Sequence, residues 1–281
     1  MIHTDVLLQH LQTLPAVLVT VQSTQGSVPR EPGTWMAVLG HQLVGTIGGG
    51  NLEFQAIAEA RARLGGTVGA DVLRYPLGPS LGQCCGGVVH LRFEVVTAAD
   101  SNCLRARLAA VHPPVAVFGG GHVGYALVQV LANLPFAVAW IDSRDGVFPA
   151  DVPRSVRCEH SDPVHLAVRD VAPGSQVLIM SFSHTEDLDI LAACLQRQRN
   201  QGDLPFLGLI GSQSKWASFS HRLAARGFSA VELSHVTCPI GMPGILGKEP
   251  EVIAIAVAAQ LLQKLPTQTS LPPPVPLFGR P

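Results

Sequence analysis

The sequence predicts an α/β protein in which an α+β unit, mostly of β structure, precedes a unit built on a doubly wound parallel sheet. Three observations favour this fold class. Short apolar strand patterns dominate residues 1–97, and strand and helix patterns alternate regularly after residue 114. A glycine-rich loop opens that second half, directly between a strand and a helix. Such alternation is typical of a parallel sheet covered by helices.

The composition limits the classes of function. The chain has 281 residues, which is enough for two domains with hydrophobic cores. Apolar residues make up 47% of the chain, which excludes a disordered protein. Charged residues make up 14%, against roughly 25% in a typical globular protein. With 19 basic and 20 acidic residues, the chain lacks the basic excess of a nucleic-acid-binding protein.

Mean hydropathy is positive, at +0.30, so a membrane span has to be considered. The apolar stretches are short, and the longest apolar region, 114–141, is interrupted by His122, Gln129 and three consecutive glycines. Residues 1–5 lack the basic region of a secretory signal. We therefore expect a soluble, cytoplasmic protein without a membrane partner, whose six cysteines are reduced thiols.

Apolar periodicity and turn residues define the first unit. A short amphipathic helix ends before Pro15, and Gly40 with His41 separates two strand patterns that predict a hairpin. Strands are predicted at 16–20, 34–39, 42–47, 71–75 and 88–96, and a helix at 52–64. Residues 98–113 contain a short helix that ends at two prolines, so we interpret them as a linker helix between domains 1–97 and 114–265.

In the second unit, strand patterns alternate with helix patterns. Strands are predicted at 115–118, 137–141, 155–158, 177–181 and 206–210, and helices at 122–133, 163–170, 186–199, 213–226 and 249–264. This order predicts a doubly wound parallel sheet. The tail, 266–281, has six prolines in 16 residues and is expected to be extended or flexible.

The loop after the first strand of this unit carries a G-x-G-x-x-G pattern at Gly119, Gly121 and Gly124. The first glycine permits a tight turn, the second lets a phosphate approach the backbone, and the third allows close helix–strand packing. Asp142 follows the next strand, where an acid that binds a ribose would lie. The pattern predicts a Rossmann-like fold, but the loop could hold any phosphate or merely close a turn. His122 is either a ligand contact or an ordinary first residue of the helix.

The segment Gln83-Cys84-Cys85-Gly86-Gly87 is the least ordinary part of the sequence. Adjacent cysteines seldom chelate one metal ion, and no C-x-x-C occurs, so a structural zinc site is not expected. Two glycines leave Cys85 poorly shielded. It is therefore either a reactive or soft-metal-binding thiol, or a buried small apolar residue. Cys238, in a loop before Pro239, is intermediate between these two interpretations.

Two further loops in the first unit could hold an anion. In residues 26–33, Ser27 offers a hydroxyl and Arg30 a guanidinium fork for a phosphate or a pterin-like heterocycle. In residues 48–53, Gly49 and Gly50 expose the backbone, and Glu53 either caps its own helix or contacts a ligand.

The second unit adds two more polar candidates. Ser183 and His184, with Asp189, follow a strand end, where ligands bind in open α/β sheets. Ser212 and Lys215 mark a helix start and a second possible anion site. Without a G-x-S-x-G elbow, these residues do not indicate a hydrolase triad.

Taken together, the motifs resemble the xanthine dehydrogenase accessory family, XdhC, which is related to the CoxI-type proteins. The resemblance covers residues 15–264, in eight ordered motifs: residues 26–30 with Gly33 and Met36; 48–53; 85–87; 119–124; Asp142 with Arg144; Ser183-His184 with Asp189; 208–212 with Lys215; and 238–241. Asn51 stands where many CoxI-type relatives have a cysteine. That departure leaves Cys85 as the better thiol candidate.

The resemblance implies a chaperone without turnover of its own, which binds the molybdenum cofactor (molybdopterin), supports its sulfuration and delivers it to apo xanthine dehydrogenase. Cys85 would contact molybdenum, while Arg30 and the glycine loops would hold pterin and phosphate. The implied partners are the molybdenum-binding subunit of that enzyme and a cysteine desulfurase-type sulfur donor, and a homodimer is expected. The glycine loop and Asp142 leave an NAD(P)-dependent oxidoreductase as an alternative. A third hypothesis is a pure interaction module, which would bind a partner protein but no small ligand.

Overall fold

A computed structural model describes residues 2–78, 86–108 and 112–265. Contacts divide the chain into two compact units, with the division between Ala110 and Val111. Cys84, Cys85 and the tail 266–281 lie outside the described residues. Within the described ranges, the helices are too short or too polar to cross a bilayer.

The first unit is a five-stranded antiparallel sheet with helices. Its strands are β1 (Ala16–Gln25), β2 (Trp35–Leu39), β3 (Gln42–Gly45), β4 (Val72–Pro76) and β5 (Val88–Val96), in the order β3-β2-β1-β5-β4. Its helices are α1 (Ile2–His10), α2 (Gly50–Leu64) and, after a 3₁₀ turn at Ala98–Asp100, α3 (Ser101–Arg107). The predicted hairpin is confirmed as β2 and β3.

Both faces of the first sheet are covered, because successive residues of a strand point to opposite faces. Val17 and Val19 pack with Leu52 of α2. Leu18, between them, packs in a second cluster with Leu7 of α1 and Leu104 of α3. The two-sided burial explains the uninterrupted apolar run at the start of β1, and it places α3 in the core of the first unit.

The second unit is a six-stranded parallel sheet in the order β11-β10-β9-β6-β7-β8. Its strands are β6 (Pro114–Phe118), β7 (Ala137–Asp142), β8 (Arg157–His160), β9 (Gln176–Ile179), β10 (Phe206–Leu209) and β11 (Val236–Thr237). Its helices are α4 (His122–Leu131), α5 (His184–Gln201), α6 (Gln213–Ala225), α7 (Ala230–Leu233) and α8 (Pro250–Gln263). The strand order reverses between β6 and β9, as in a Rossmann-like sheet, so the predicted fold class is confirmed.

Several elements differ from prediction, and β1 runs to Gln25 rather than ending at residue 20. The helix expected at 163–170 is a 3₁₀ helix, Val164–Asp170, which is long for a helix of this type. The strand expected at 155–158 lies two residues later, at β8, because this edge strand is mostly polar and apolar periodicity does not mark it. Helix α7 and strand β11 were not predicted from the sequence, because four and two residues are too few to show an apolar periodicity.

Candidate functional site

In the first unit, the chain segment after the adjacent cysteines packs tightly against the loop that follows β1. Gly87 is buried, and a Cβ atom on it would lie 2.4 Å from the carbonyl oxygen of Ser27 and 2.6 Å from that of Gln25. Glycine is therefore required at this position. The backbone two residues after Cys85 consequently lies beside Ser27.

The second glycine loop lies against the same loop from another side. A Cβ atom on Gly48 would lie 2.8 Å from Cβ of Pro29 and 3.4 Å from Cγ of Arg30. Gly48, Gly49 and Gly50 all have positive φ, at 119°, 76° and 65°, a conformation that glycine adopts readily. Three motifs that are distant in sequence, at 26–30, 48–50 and 86–87, therefore meet in one region of the first unit.

Glu53 holds the second glycine loop in place. Its Oε2 accepts hydrogen bonds from Thr46 Oγ1 at 2.5 Å, from the backbone N–H of Ile47 at 3.0 Å and from that of Gly49 at 3.1 Å. These contacts support the capping interpretation of Glu53. The carboxylate stabilises the approach to α2, and the loop it holds presents the backbone.

Ser27 and Arg30 are the exposed polar side chains of this region. Neither side chain makes a hydrogen bond or ion pair with the part of the chain that the structure describes. A guanidinium without an acidic partner can still bind phosphate with two parallel hydrogen bonds. The geometry therefore leaves Arg30 available to an anion, and the anion contact stays a prediction.

In the second unit, the glycine loop occupies the carboxyl end of β6. A Cβ atom on Gly119, where φ is +127°, would lie 2.1 Å from the carbonyl oxygen of Met180, and one on Gly124 would lie 2.0 Å from that of Gly119. A Cβ atom on Gly121 would meet no atom within 4 Å. The third glycine is thus required for packing, as predicted, and the first for both its positive φ and its packing, while the second leaves the backbone open.

Asp142 lies at the end of β7 and is only 2% exposed. Its Oδ2 accepts from Gly120 N–H at 2.5 Å and from Arg144 Nη2 at 2.9 Å, and its Oδ1 accepts from Arg144 Nε and backbone N–H. Burial by itself would raise the pKa of Asp142, but these hydrogen bonds and the charge of Arg144 hold that pKa below its ordinary value. A ribose at Asp142 would have to displace these partners, so the predicted nucleotide contact stays a prediction.

Four residues near Asp142 form two further contacts at this edge. The guanidinium of Arg144 lies over the ring of Phe182, with 4.8 Å from Cζ to the ring centroid. Glu186 Oε1 accepts from Ser143 Oγ at 2.6 Å. Phe182 and Glu186 were not predicted from the sequence as site residues. Their position, where a strand ends and a polar helix start follows, was the signal that could have indicated them.

Lys215 is placed inside the fold rather than at an open anion site. Its Nζ donates to Asp187 Oδ2 at 2.6 Å and to the carbonyl oxygen of Ile210 at 2.8 Å. Its side chain is 11% exposed and that of Asp187 is 2% exposed. Asp187 was not singled out from the sequence, whereas Asp189, which was, forms a surface ion pair with Arg226.

Ser183 and Ser212 act as helix N-caps. Ser183 Oγ accepts from Thr185 N–H, and Ser212 Oγ accepts from Lys215 N–H. His184 is exposed at the start of α5. These assignments explain the polar residues at both helix starts by helix capping.

His122 lies apart from these groups, at the first position of α4. It lines a cavity of about 370 Å³ between α4 and α8, together with Tyr125 and Ile255. His122 is therefore exposed, directly after the glycine loop, and it borders this cavity.

Three of the described cysteines are stabilised in the protonated thiol form. Burial raises the pKa of Cys194 to about 12 and also raises the pKa of Cys158 and Cys238. Cys238 Sγ lies 3.9 Å from the carbonyl oxygen of Ser212. Across the described ranges, no three side chains of His, Cys, Asp or Glu form a group that could hold a metal ion.

Two family models match the chain: the XdhC and CoxI family over residues 10–76, and the XdhC Rossmann domain over residues 115–261. The Escherichia coli K12 protein named uncharacterized protein YqeB is 27% identical over 266 residues, which are 90% of this chain and 44% of YqeB. The chain thus spans less than half the length of that relative.

A crystal structure of a Bacillus halodurans protein, described as a xanthine dehydrogenase, is similar in fold. The TM-score is 0.78 at 20% sequence identity, and the match covers 96% of this chain and 98% of the other. At this level of identity the likeness shows a shared fold.

Proposed function

The chain belongs to the XdhC family, and we propose that it binds the molybdenum cofactor and takes part in the maturation of xanthine dehydrogenase. One observation carries the proposal. The loops 26–30 and 48–50 and the glycines at 86–87 meet in the first unit, with Arg30 and Ser27 exposed. These are the groups that a pterin with a terminal phosphate requires: hydrogen-bond donors, a cation and closely approaching backbone.

The chemistry of the first-unit loops fits this cargo. The cofactor brings a molybdenum atom held by a dithiolene, and molybdenum in such sulfur-rich surroundings favours soft ligands. Arg30 would hold the phosphate through its fork, and the glycine loop stabilised by Glu53 would approach the pterin without steric hindrance. We assign no role in this to Lys215, because its ammonium is already bonded to Asp187 and Ile210.

Cys85 is the proposed thiol contact to molybdenum. It directly precedes Gly86 and Gly87 in sequence, and Gly87 packs beside Ser27. The support is this proximity along the chain, together with the raised pKa values of Cys158, Cys194 and Cys238. A thiol with a raised pKa is a poor metal ligand at neutral pH.

Delivery requires that the cargo leave again. A set of hydrogen bonds from one arginine, one hydroxyl and loop backbone can be exchanged one at a time, unlike a closed cage of metal ligands. We therefore propose that the protein protects the cofactor, meets a cysteine desulfurase-type sulfur donor, and passes the sulfurated cofactor to apo xanthine dehydrogenase. A homodimer remains a prediction.

Cofactor loading tests the proposal. The full chain is produced in cells that make the molybdenum cofactor, and the purified protein is analysed for molybdenum and for the fluorescent pterin released on oxidation. Cys85→Ser should retain less of both, whereas Cys103→Ser, which replaces an exposed thiol of α3, should match wild type. Equal retention by the two variants would contradict the role of Cys85. Tight NADH or NADPH binding without pterin would favour the oxidoreductase instead.

A further inference from the structure

Glu186 presents an open carboxylate oxygen at the carboxyl edge of the parallel sheet. Its Oε1 is held by Ser143 Oγ at 2.6 Å, which fixes the side chain. Its Oε2 makes no hydrogen bond to the residues that the structure describes, and the side chain is partly exposed. Because Ser143 follows β7 and Glu186 lies in the first turn of α5, which follows β9, the carboxylate lies between two strand ends that flank β6.

The acid that would bind a ribose in a sheet of this kind is already engaged. Asp142 accepts from Gly120 N–H and from three N–H groups of Arg144. It is also almost fully buried. Unlike Asp142, Glu186 keeps a carboxylate oxygen that can accept new hydrogen bonds.

A planar surface lies next to Glu186. Phe182 is 61% exposed, and the Arg144 guanidinium lies 4.8 Å from its ring centroid. Asp142 holds that guanidinium through Nε and Nη2, so its plane is fixed. Exposed aromatic rings and arginine planes are the surfaces on which nucleobases stack.

The local charge favours a neutral hydrogen-bond donor over an anion at Glu186. Asp142 and Glu186 carry two negative charges, and Arg144 supplies one positive charge. A phosphate or carboxylate placed at Glu186 would meet a net negative field. Sugar hydroxyls carry no charge, and they donate charge-assisted hydrogen bonds to a carboxylate.

We propose that this edge of the second unit binds a ribonucleoside, with Glu186 as the acceptor for the ribose hydroxyls and Phe182 with Arg144 as the surface on which the base stacks. The position agrees with the rule that ligands of open α/β sheets bind where the strand order reverses, here between β6 and β9. The assignment moves the ribose contact from Asp142 to Glu186. It goes beyond cofactor binding in the first unit and does not depend on it.

Binding of AMP, 2′,3′-dideoxy-AMP and ribose 5-phosphate to the full chain tests the proposal by calorimetry. Hydrogen bonds to a charged acceptor predict that AMP binds roughly 10- to 100-fold more tightly than dideoxy-AMP. Glu186→Ala should abolish this difference, because it should weaken AMP and ribose 5-phosphate, which carry the hydroxyls, and leave dideoxy-AMP unchanged. Phe182→Ala should weaken AMP and dideoxy-AMP equally and leave ribose 5-phosphate unchanged.

Asp189→Ala is the matched control, because it removes another partly exposed acid of α5, paired with Arg226. It should bind all three probes as wild type does. The proposal is overturned if wild type binds AMP and dideoxy-AMP equally, if it binds no nucleotide at millimolar concentration, or if Asp189→Ala reproduces the Glu186→Ala loss. Molybdenum and pterin content, measured on the same preparations, reports separately on the function proposed for the first unit.

Discussion

Asp187 and Lys215 form a buried ion pair in the second unit, with 2.6 Å between Oδ2 and Nζ. Asp187 Oδ1 also accepts from the N–H of Ser181, and Lys215 also donates to the carbonyl oxygen of Ile210. Ser181 follows β9 and Ile210 follows β10, so the pair fixes two adjacent loops at the carboxyl edge of the sheet. The pair therefore has a positioning role at this edge.

Breaking this pair should be costly. Lys215→Met keeps the aliphatic stem that packs against Gly211 but leaves Asp187 buried without its partner. We expect a loss of about 3–5 kcal/mol in the free energy of unfolding, measured by urea denaturation. Arg226→Met, which breaks the more exposed pair with Asp189, should cost less than about 1 kcal/mol. Similar losses for both variants would contradict the positioning role.

Glu232 should make stability depend on pH in acid. Hydrogen bonds from Arg199, and then from the backbone and side chain of Ser229, lower the pKa of Glu232 from 4.5 to about 2. Because the folded-state pKa is depressed, its contribution is fully present above the unfolded-state pKa and is lost as the pH falls through the folded value. Between pH 4.5 and 2, the free energy of unfolding of wild type should therefore fall more steeply than that of Glu232→Gln. The free energy of unfolding is measured by urea denaturation at each pH. An equal fall with pH in wild type and Glu232→Gln would refute the assignment.

Gly87 should be intolerant of any side chain. A methyl group there would lie 2.4 Å from the carbonyl oxygen of Ser27, whereas one on Gly86 would meet no atom within 4 Å. Gly87→Ala should lose about 1–3 kcal/mol of stability and most of the bound pterin, and Gly86→Ala should resemble wild type. Thermal unfolding and pterin fluorescence measure the two effects. If Gly86→Ala lost as much pterin as Gly87→Ala, the packing account would be wrong.

Arg30 should set the affinity for the terminal phosphate of the cargo. Arg30→Ala should weaken pterin retention by roughly 10- to 100-fold, the range expected for charge-assisted hydrogen bonds. Arg30→Lys should restore it partly, since an ammonium supplies the charge without the fork. Arg74→Ala, which removes another exposed arginine of the first unit, serves as control. Unchanged pterin retention in Arg30→Ala would remove Arg30 from the site.

The sequence predicted the features that depend on local periodicity and on backbone geometry. The required roles of Gly119 and Gly124 follow from a motif whose spacing implies its packing, and the structure places both against carbonyl oxygens. The hairpin and the parallel sheet likewise follow from apolar patterns.

The features that the sequence did not predict depend on which polar groups pair with each other in the folded chain. Whether Lys215 is free or buried is decided by Asp187, 28 positions away. Whether Asp142 can receive a ribose is decided by Arg144 and Gly120. The charge scarcity noted from composition, 14% of the chain, does not show which of the few charges are engaged in structural pairs.

Transfer of the cofactor tests the central claim most directly. The chain is loaded with molybdenum cofactor, freed of unbound cofactor, and mixed with apo xanthine dehydrogenase, whose activity is then followed. The account predicts that loaded wild type restores activity, that Cys85→Ser taken through the same loading restores much less, and that Cys103→Ser matches wild type. Equal activity with and without the protein, at the same total cofactor, would contradict it.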